Sequence, residues 1–151
     1  MYKMEIIWGG ARAPKVNYFI ADFVAKRIKN CENGWDKFVS LGFLKDESLI
    51  AGVIYHNYCP TAQVIELSGA SDDKRWLTSK SIKQIYHYPW NELKCQAVVN
   101  RVPDEDLPQH RMLASLGAIR HHIPRLRGRN AAENIYVMTY EAWMSNKITQ
   151  K

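Results

Sequence analysis

Apolar positions change period along this chain, and the changes mark out the elements. Met4 to Trp8 is a short apolar run stopped by Gly9-Gly10, which predicts a first strand. After Pro14, the residues Val16, Phe19, Ile20, Phe23, Val24 and Ile28 recur at helical spacing and predict an amphipathic helix. Cys31 to Gly34 reads as a turn. Phe38–Leu44 and Leu49–Tyr58 read as two strands joined by a hairpin over the polar Lys45-Asp46-Glu47-Ser48, with Pro60 closing the pair. Gln63–Ser68 is a further strand, and Gly69–Arg75 is a polar turn. A helix follows from about Thr78, with Thr78 or Ser79 as N-cap and Ile82, Ile85, Tyr86 and Leu93 on one face; Pro89 kinks or shortens it.

Cys95–Val102 contains the buried-strand run Ala97-Val98-Val99 and ends at Pro103. Pro108 suits the first turn of a helix whose apolar positions Met112, Leu113 and Leu116 precede Gly117 as a stop. Two closing strands, Ala118–Leu126 and Asn134–Tyr140, flank the turn Gly128-Arg129-Asn130. The order mixes hairpins with a strand–helix–strand crossover. It predicts an α/β (α+β) domain over 1–144, with 145–151 a flexible tail.

Composition narrows the partners. With 151 residues and 46% apolar content there is material for one hydrophobic core. No apolar run approaches the length of a membrane helix and the N-terminus lacks a signal-peptide pattern, so a cytoplasmic protein, in a bacterium or a phage-infected host, is expected. Cys31, Cys59 and Cys95 are scattered and odd in number, which argues against a disulfide framework or a zinc knuckle; no metal is expected. The formal charge of +6 favours anionic partners: a nucleotide cofactor, an acidic protein surface or nucleic acid. Arg120, Arg125, Arg127 and Arg129 cluster with His121 and His122, downstream of the acidic Asp104, Glu105 and Asp106. That cluster is either a solvated face or a phosphate-contacting surface.

Several segments carry a family likeness: Leu49 to Tyr58, Arg75-Trp76-Leu77-Thr78 leading into a helix, Tyr88 to Leu93 at its end, Met112 to Ala118, and the closing Tyr136 to Trp143, which looks like a final strand. In this order the chain resembles the GNAT (Gcn5-related N-acetyltransferase) superfamily, and is most similar to its small phage-type members. The resemblance implies a mixed, mostly antiparallel twisted sheet of six to seven strands with helices on both faces. It implies acetyl-coenzyme A as cofactor, its pantetheine wedged between the fourth and fifth strands and its pyrophosphate at the start of the next helix. It implies transfer of the acetyl group to an amine by direct attack in a ternary complex.

The implied cofactor contacts are Leu67, Lys74, Arg75, Trp76, Leu77, Thr78, Ser79 and Lys80. This loop departs from the family pattern of a Gln or Arg followed by small residues, since Asp73 takes the first position and Lys74, Trp76 and Thr78 take the small ones. In the later helix Asp106 and Gln109 stand where pantetheine contacts are expected, and Leu113 stands where a Tyr often donates a proton. Acyl transfer to an amine needs a base. Glu66, flanked by Val64, Ile65 and Leu67, is the candidate carboxylate. His56, between Tyr55 and Tyr58, is a base, an acceptor-orienting group, a metal ligand or a structural histidine, and a backbone N–H at Leu67 or Ser68 suits oxyanion stabilisation. Tyr136 and Tyr140 are expected in the core or lining the site. Two alternatives remain open: a Mom-like adenine-modifying enzyme holding DNA through the arginine cluster, and an inactive scaffold used as a binding or virion protein.

Overall fold

The computed structural model describes residues 4–150. Among these residues, seven strands and four α-helices follow one another as β1 (Glu5–Gly9), α1 (Pro14–Ala25), β2 (Phe38–Lys45), β3 (Ser48–Cys59), β4 (Val64–Ser71), α2 (Ser79–His87), β5 (Ala97–Pro103), α3 (Leu107–Leu116), β6 (Ile119–Gly128), β7 (Ala131–Thr139) and α4 (Tyr140–Ser145). A 3-10 turn, Lys74–Trp76, precedes α2, and a π-helical turn, Tyr88–Glu92, follows it. The strand order is β1-β2-β3-β4-β5-β7-β6, and the β1–β2, β2–β3, β5–β7 and β6–β7 pairs are antiparallel. This is the mixed, mostly antiparallel α/β architecture expected from the sequence.

Two compact units divide the chain: Met1–Asn57 with Leu67–Ile85, and Tyr58–Glu66 with Tyr86–Lys151. In the first, Ile20, Ala21 and Val24 of α1 bury against Ile54 of β3. Glycines permit the close approach: a Cβ on Gly52 would stand 2.8 Å from both Ile20 and Val24 side chains. The β2–β3 hairpin turns on Asp46 and Glu47, both with positive φ (51° and 67°), the backbone signature of the two-residue turn that matches strand twist. In the second unit, Leu113 of α3 packs on Val102 of β5 and Tyr136 of β7. Gly117, at φ 97°, ends α3 in the left-handed conformation that its missing side chain allows.

Three elements differ from the sequence expectation. Strand β4 runs to Ser71, into the segment expected as a polar turn, while Gln63 has φ 60° and lies outside it. The closing strand stops at Thr139, whose Oγ1 accepts the amide of Ala142 at 3.1 Å, so that Tyr140 to Ser145 form a helix rather than strand. A side-chain cap here overrides the strand-like composition of Tyr140-Glu141-Ala142-Trp143. The region around Pro89 becomes a π-helical turn, with the Leu93 amide donating to the Tyr88 carbonyl at 3.0 Å. Pro89 has no amide to give the carbonyl of Ile85 four residues earlier, and the hydroxyl of Tyr55 donates to that carbonyl at 2.6 Å instead.

The segment expected as a tail is hydrogen-bonded to α4. The Thr149 hydroxyl donates to the Trp143 carbonyl at 2.6 Å, and the Gln150 side-chain amide donates to the same carbonyl at 3.2 Å.

Candidate functional site

In the first unit, β4 delivers the chain to α2 through a short, heavily bonded corner. Asp73 caps the 3-10 turn: its carboxylate accepts the Arg75 amide at 3.0 Å and pairs with the Arg75 guanidinium at 3.0 Å. Those donors pull the Asp73 carboxyl down to about 2. Trp76 turns its ring onto Phe43 of β2, edge to face with centroids 5.1 Å apart. Core packing thus takes up the side chain that would otherwise crowd a phosphate.

Thr78 and Ser81 then form a reciprocal cap. The Ser81 amide donates to Thr78 Oγ1 at 3.1 Å, and the Thr78 amide donates to Ser81 Oγ at 2.7 Å. Ser81 is fully buried and its hydroxyl also donates to the Trp76 carbonyl at 2.7 Å. The pair leaves the first two helical amides, of Ser79 and Lys80, for an external acceptor. Both residues are exposed, as are Lys74 and Arg75, so positive charge and amide donors share one helix start. Arg75 is committed to Asp73, which leaves Lys74 and Lys80 as the cations for an anion there. Leu77 is half-buried, and Leu67 is buried in β4, so the latter offers only its backbone.

A second group sits on β3 and β4 of the same unit. His56, 7% exposed, places Nε2 2.8 Å from Ser68 Oγ. Its ring lies against Trp35, centroids 5.6 Å apart. From sequence, His56 is a candidate through its side chain and Ser68 through its backbone N–H; strands β3 and β4 instead bring His56 and the Ser68 hydroxyl into one hydrogen bond. Trp35 was missed, because a tryptophan after Gly34 in a loop gives no periodic signal.

In the second unit, Glu66 is half-buried while Ile65 before it is 2% exposed, as strand alternation requires. Asp106 caps α3 by accepting the Gln109 amide at 3.4 Å, so these two expected cofactor contacts share the first turn of one helix. Leu113 is fully buried and supplies no proton donor. Tyr136 is core, and its hydroxyl is 2.6 Å from His110 Nδ1 while His110 Nε2 is 2.9 Å from the Pro103 carbonyl. A carbonyl only accepts, so His110 Nε2 carries a proton and donates it to the Pro103 carbonyl. Tyr140 begins α4 with its ring 5.5 Å from Trp90.

The arginine cluster is partly neutralised within the second unit. Glu133, 1% exposed, receives Arg101 at 2.9 Å and Arg127 at 2.7 Å. Arg120 donates to Asn134 Oδ1 at 2.7 Å, while Arg125 and Arg129 are exposed. Asp104, beside Asn134, His122 and Arg120, is held below the usual carboxylate range, chiefly by the Asn134 hydrogen bond. Among the described residues no cluster of His, Cys, Asp and Glu is arranged for a metal, and no helix is long and apolar enough to cross a membrane.

No protein-family model matches the sequence, and no curated protein matches it closely enough to be significant. Solved structures do. A spermidine N-acetyltransferase, SpeG, from Vibrio cholerae superposes with a TM-score of 0.72 over 94% of this chain and 96% of its own, at 9% identity. The dodecameric form of the spermidine N-acetyltransferase from the same organism gives 0.71 over 94% and 96%, at 11% identity. This is the GNAT acetyltransferase fold. An acetyltransferase-type structure from T. thermophilus gives 0.62 at 16% identity. The chain spans just under two thirds of that protein (64%) and of two similar ones (62% and 64%). At these identities the likeness establishes the GNAT fold alone.

Proposed function

We propose that this GNAT-fold chain is an acyl-coenzyme A-dependent N-acyltransferase that places an acetyl group on the nitrogen of an amine. The observation that carries the reading is the start of α2, where the Thr78–Ser81 cap leaves two amides beside Lys74 and Lys80 directly after β4. The backbone amides of Ser79 and Lys80 and the ammonium groups of Lys74 and Lys80 would hold the pyrophosphate of the cofactor there, without the glycines of the family loop. Its thioester supplies an acyl carbon that passes from sulfur to nitrogen.

The amine must be neutral when it attacks, so the chain needs a route for its proton. The His56–Ser68 pair supplies one: Ser68 Oγ takes a proton from the nitrogen as its own passes to His56 Nε2. Of the two protons an ammonium loses in forming an amide, one ends on the departing thiol and one leaves through His56 to solvent. Solved spermidine N-acetyltransferases of this fold support an amine acceptor.

Calorimetric titration with acetyl-coenzyme A tests the reading. Saturable binding is expected, weakened about tenfold in Lys80→Glu, which reverses one charge at the helix start. Absence of heat at millimolar cofactor would contradict it.

A further inference from the structure

We infer that Tyr18, Trp35 and Phe38 form the acceptor trough of the first unit, and that it takes a small aliphatic amine arriving as its ammonium. The inference rests on the acyltransferase reading and adds the class of acceptor. Phe38 opens β2 and pairs directly with His56 across the β2–β3 ladder. Its ring meets that of Tyr18 of α1, centroids 6.1 Å apart and planes at 79°, and that of Trp35, 6.4 Å away at 60°. Trp35 in turn lies against His56, whose Nε2 reaches Ser68. The aromatic surface therefore leads to the group that removes a proton from the acceptor.

Trp35 and Phe38 also pack against the Ile20, Ala21, Val24 and Ile54 core, which fixes their positions. Tyr18 is 66% exposed and Phe19 beside it 55%, so α1 presents aromatic side chains to solvent where its core packing does not require them. Aromatic faces carry negative potential and attract cations. The steep mutual tilts do not give the parallel walls that would sandwich a flat ring, whereas rings set at angles suit a tetrahedral ammonium and its methylene groups. An anionic acceptor would find no cation among the three rings. The flanking Asp36 and Lys37 cancel in charge. An alkylamine, with a pKa near that of lysine at about 10.4, is protonated near neutral pH and arrives in the form the rings attract.

The test is calorimetric titration of the full chain near neutral pH with n-butylamine, n-butanol and aniline as probes. Butylamine is expected to bind in preference to its neutral isostere butanol and to the flat, uncharged aniline. Tyr18→Leu and Phe38→Leu, which keep apolar bulk and remove the ring faces, are expected to weaken butylamine binding about threefold to fivefold while acetyl-coenzyme A binding is unchanged. Tyr18→Leu, at an exposed helix position, keeps the test decisive should Phe38→Leu fail to fold. Equal binding of butylamine by Tyr18→Leu and the parent chain, or tighter binding of butanol or aniline, overturns the inference. If acetyl-coenzyme A fails to bind while butylamine binding keeps its dependence on Tyr18, the acyltransferase reading falls and the ammonium trough stands.

Discussion

Ser81 shows how much one hydroxyl can organise. Fully buried, it accepts the Thr78 amide and donates to the Trp76 carbonyl, so it joins the 3-10 turn to α2. Ser81→Ala leaves both backbone groups without that partner, and a loss of about 1–2 kcal/mol is expected in urea unfolding. Thr78 was visible in the sequence as a cap position; that Ser81 would close the cap and reach back to the turn was not, because the turn's own geometry decides it. Asp73 gives a pH signature for the same corner. Its folded pKa, about 2, lies below the ordinary 3.8, so its pairing with Arg75 stabilises the fold above that ordinary value and is lost as pH falls through about 2. The melting-temperature gap between the parent chain and Asp73→Asn should therefore hold near neutrality and close between about pH 4 and pH 2. A gap unchanged over that window would show that the carboxylate is not bonded as described.

At the scale of elements, local patterns predicted those strands and helices whose period is strong and whose ends are marked by proline or glycine. Helix α3 is the clearest case, with Pro108 in its first turn and Gly117 at its end. The reading failed where a side-chain bond outweighs composition, as at Thr139, or where a lost backbone donor is replaced from another element, as at Pro89. Tyr55 makes that replacement. Tyr55→Phe keeps the ring, 5.9 Å from Trp8, and removes only the hydroxyl that satisfies the Ile85 carbonyl. A cost of about 1–3 kcal/mol is expected, with faster amide exchange in the last turn of α2. An unchanged stability and exchange pattern would mean that water serves the carbonyl equally well. The His56–Ser68 contact illustrates the same limit: each residue was a candidate by its strand position, but only strand pairing sets the 2.8 Å between them.

For the molecule as a whole, the strand order β1-β2-β3-β4-β5-β7-β6 and the likeness to acetyltransferase structures agree on a GNAT fold. The sequence carried that architecture through the order of its segments even though the corner before α2 lacks the glycines of the family pattern. It was less informative about surface charge. The +6 total suggested a basic face, yet Arg127 and Arg101 bind the buried Glu133, and Arg120 is held by Asn134. Salt should weaken cofactor binding through the remaining cations, Lys74 and Lys80 foremost, because exposed charges are screened. The most direct test of the central claim is thiol release from acetyl-coenzyme A with n-butylamine, with the product identified by mass spectrometry. Amine-dependent release and N-acetylbutylamine are expected, with turnover reduced about a hundredfold in His56→Ala and Ser68→Ala. Thiol release that is independent of the amine, or no acetylated product from the parent chain, would contradict it.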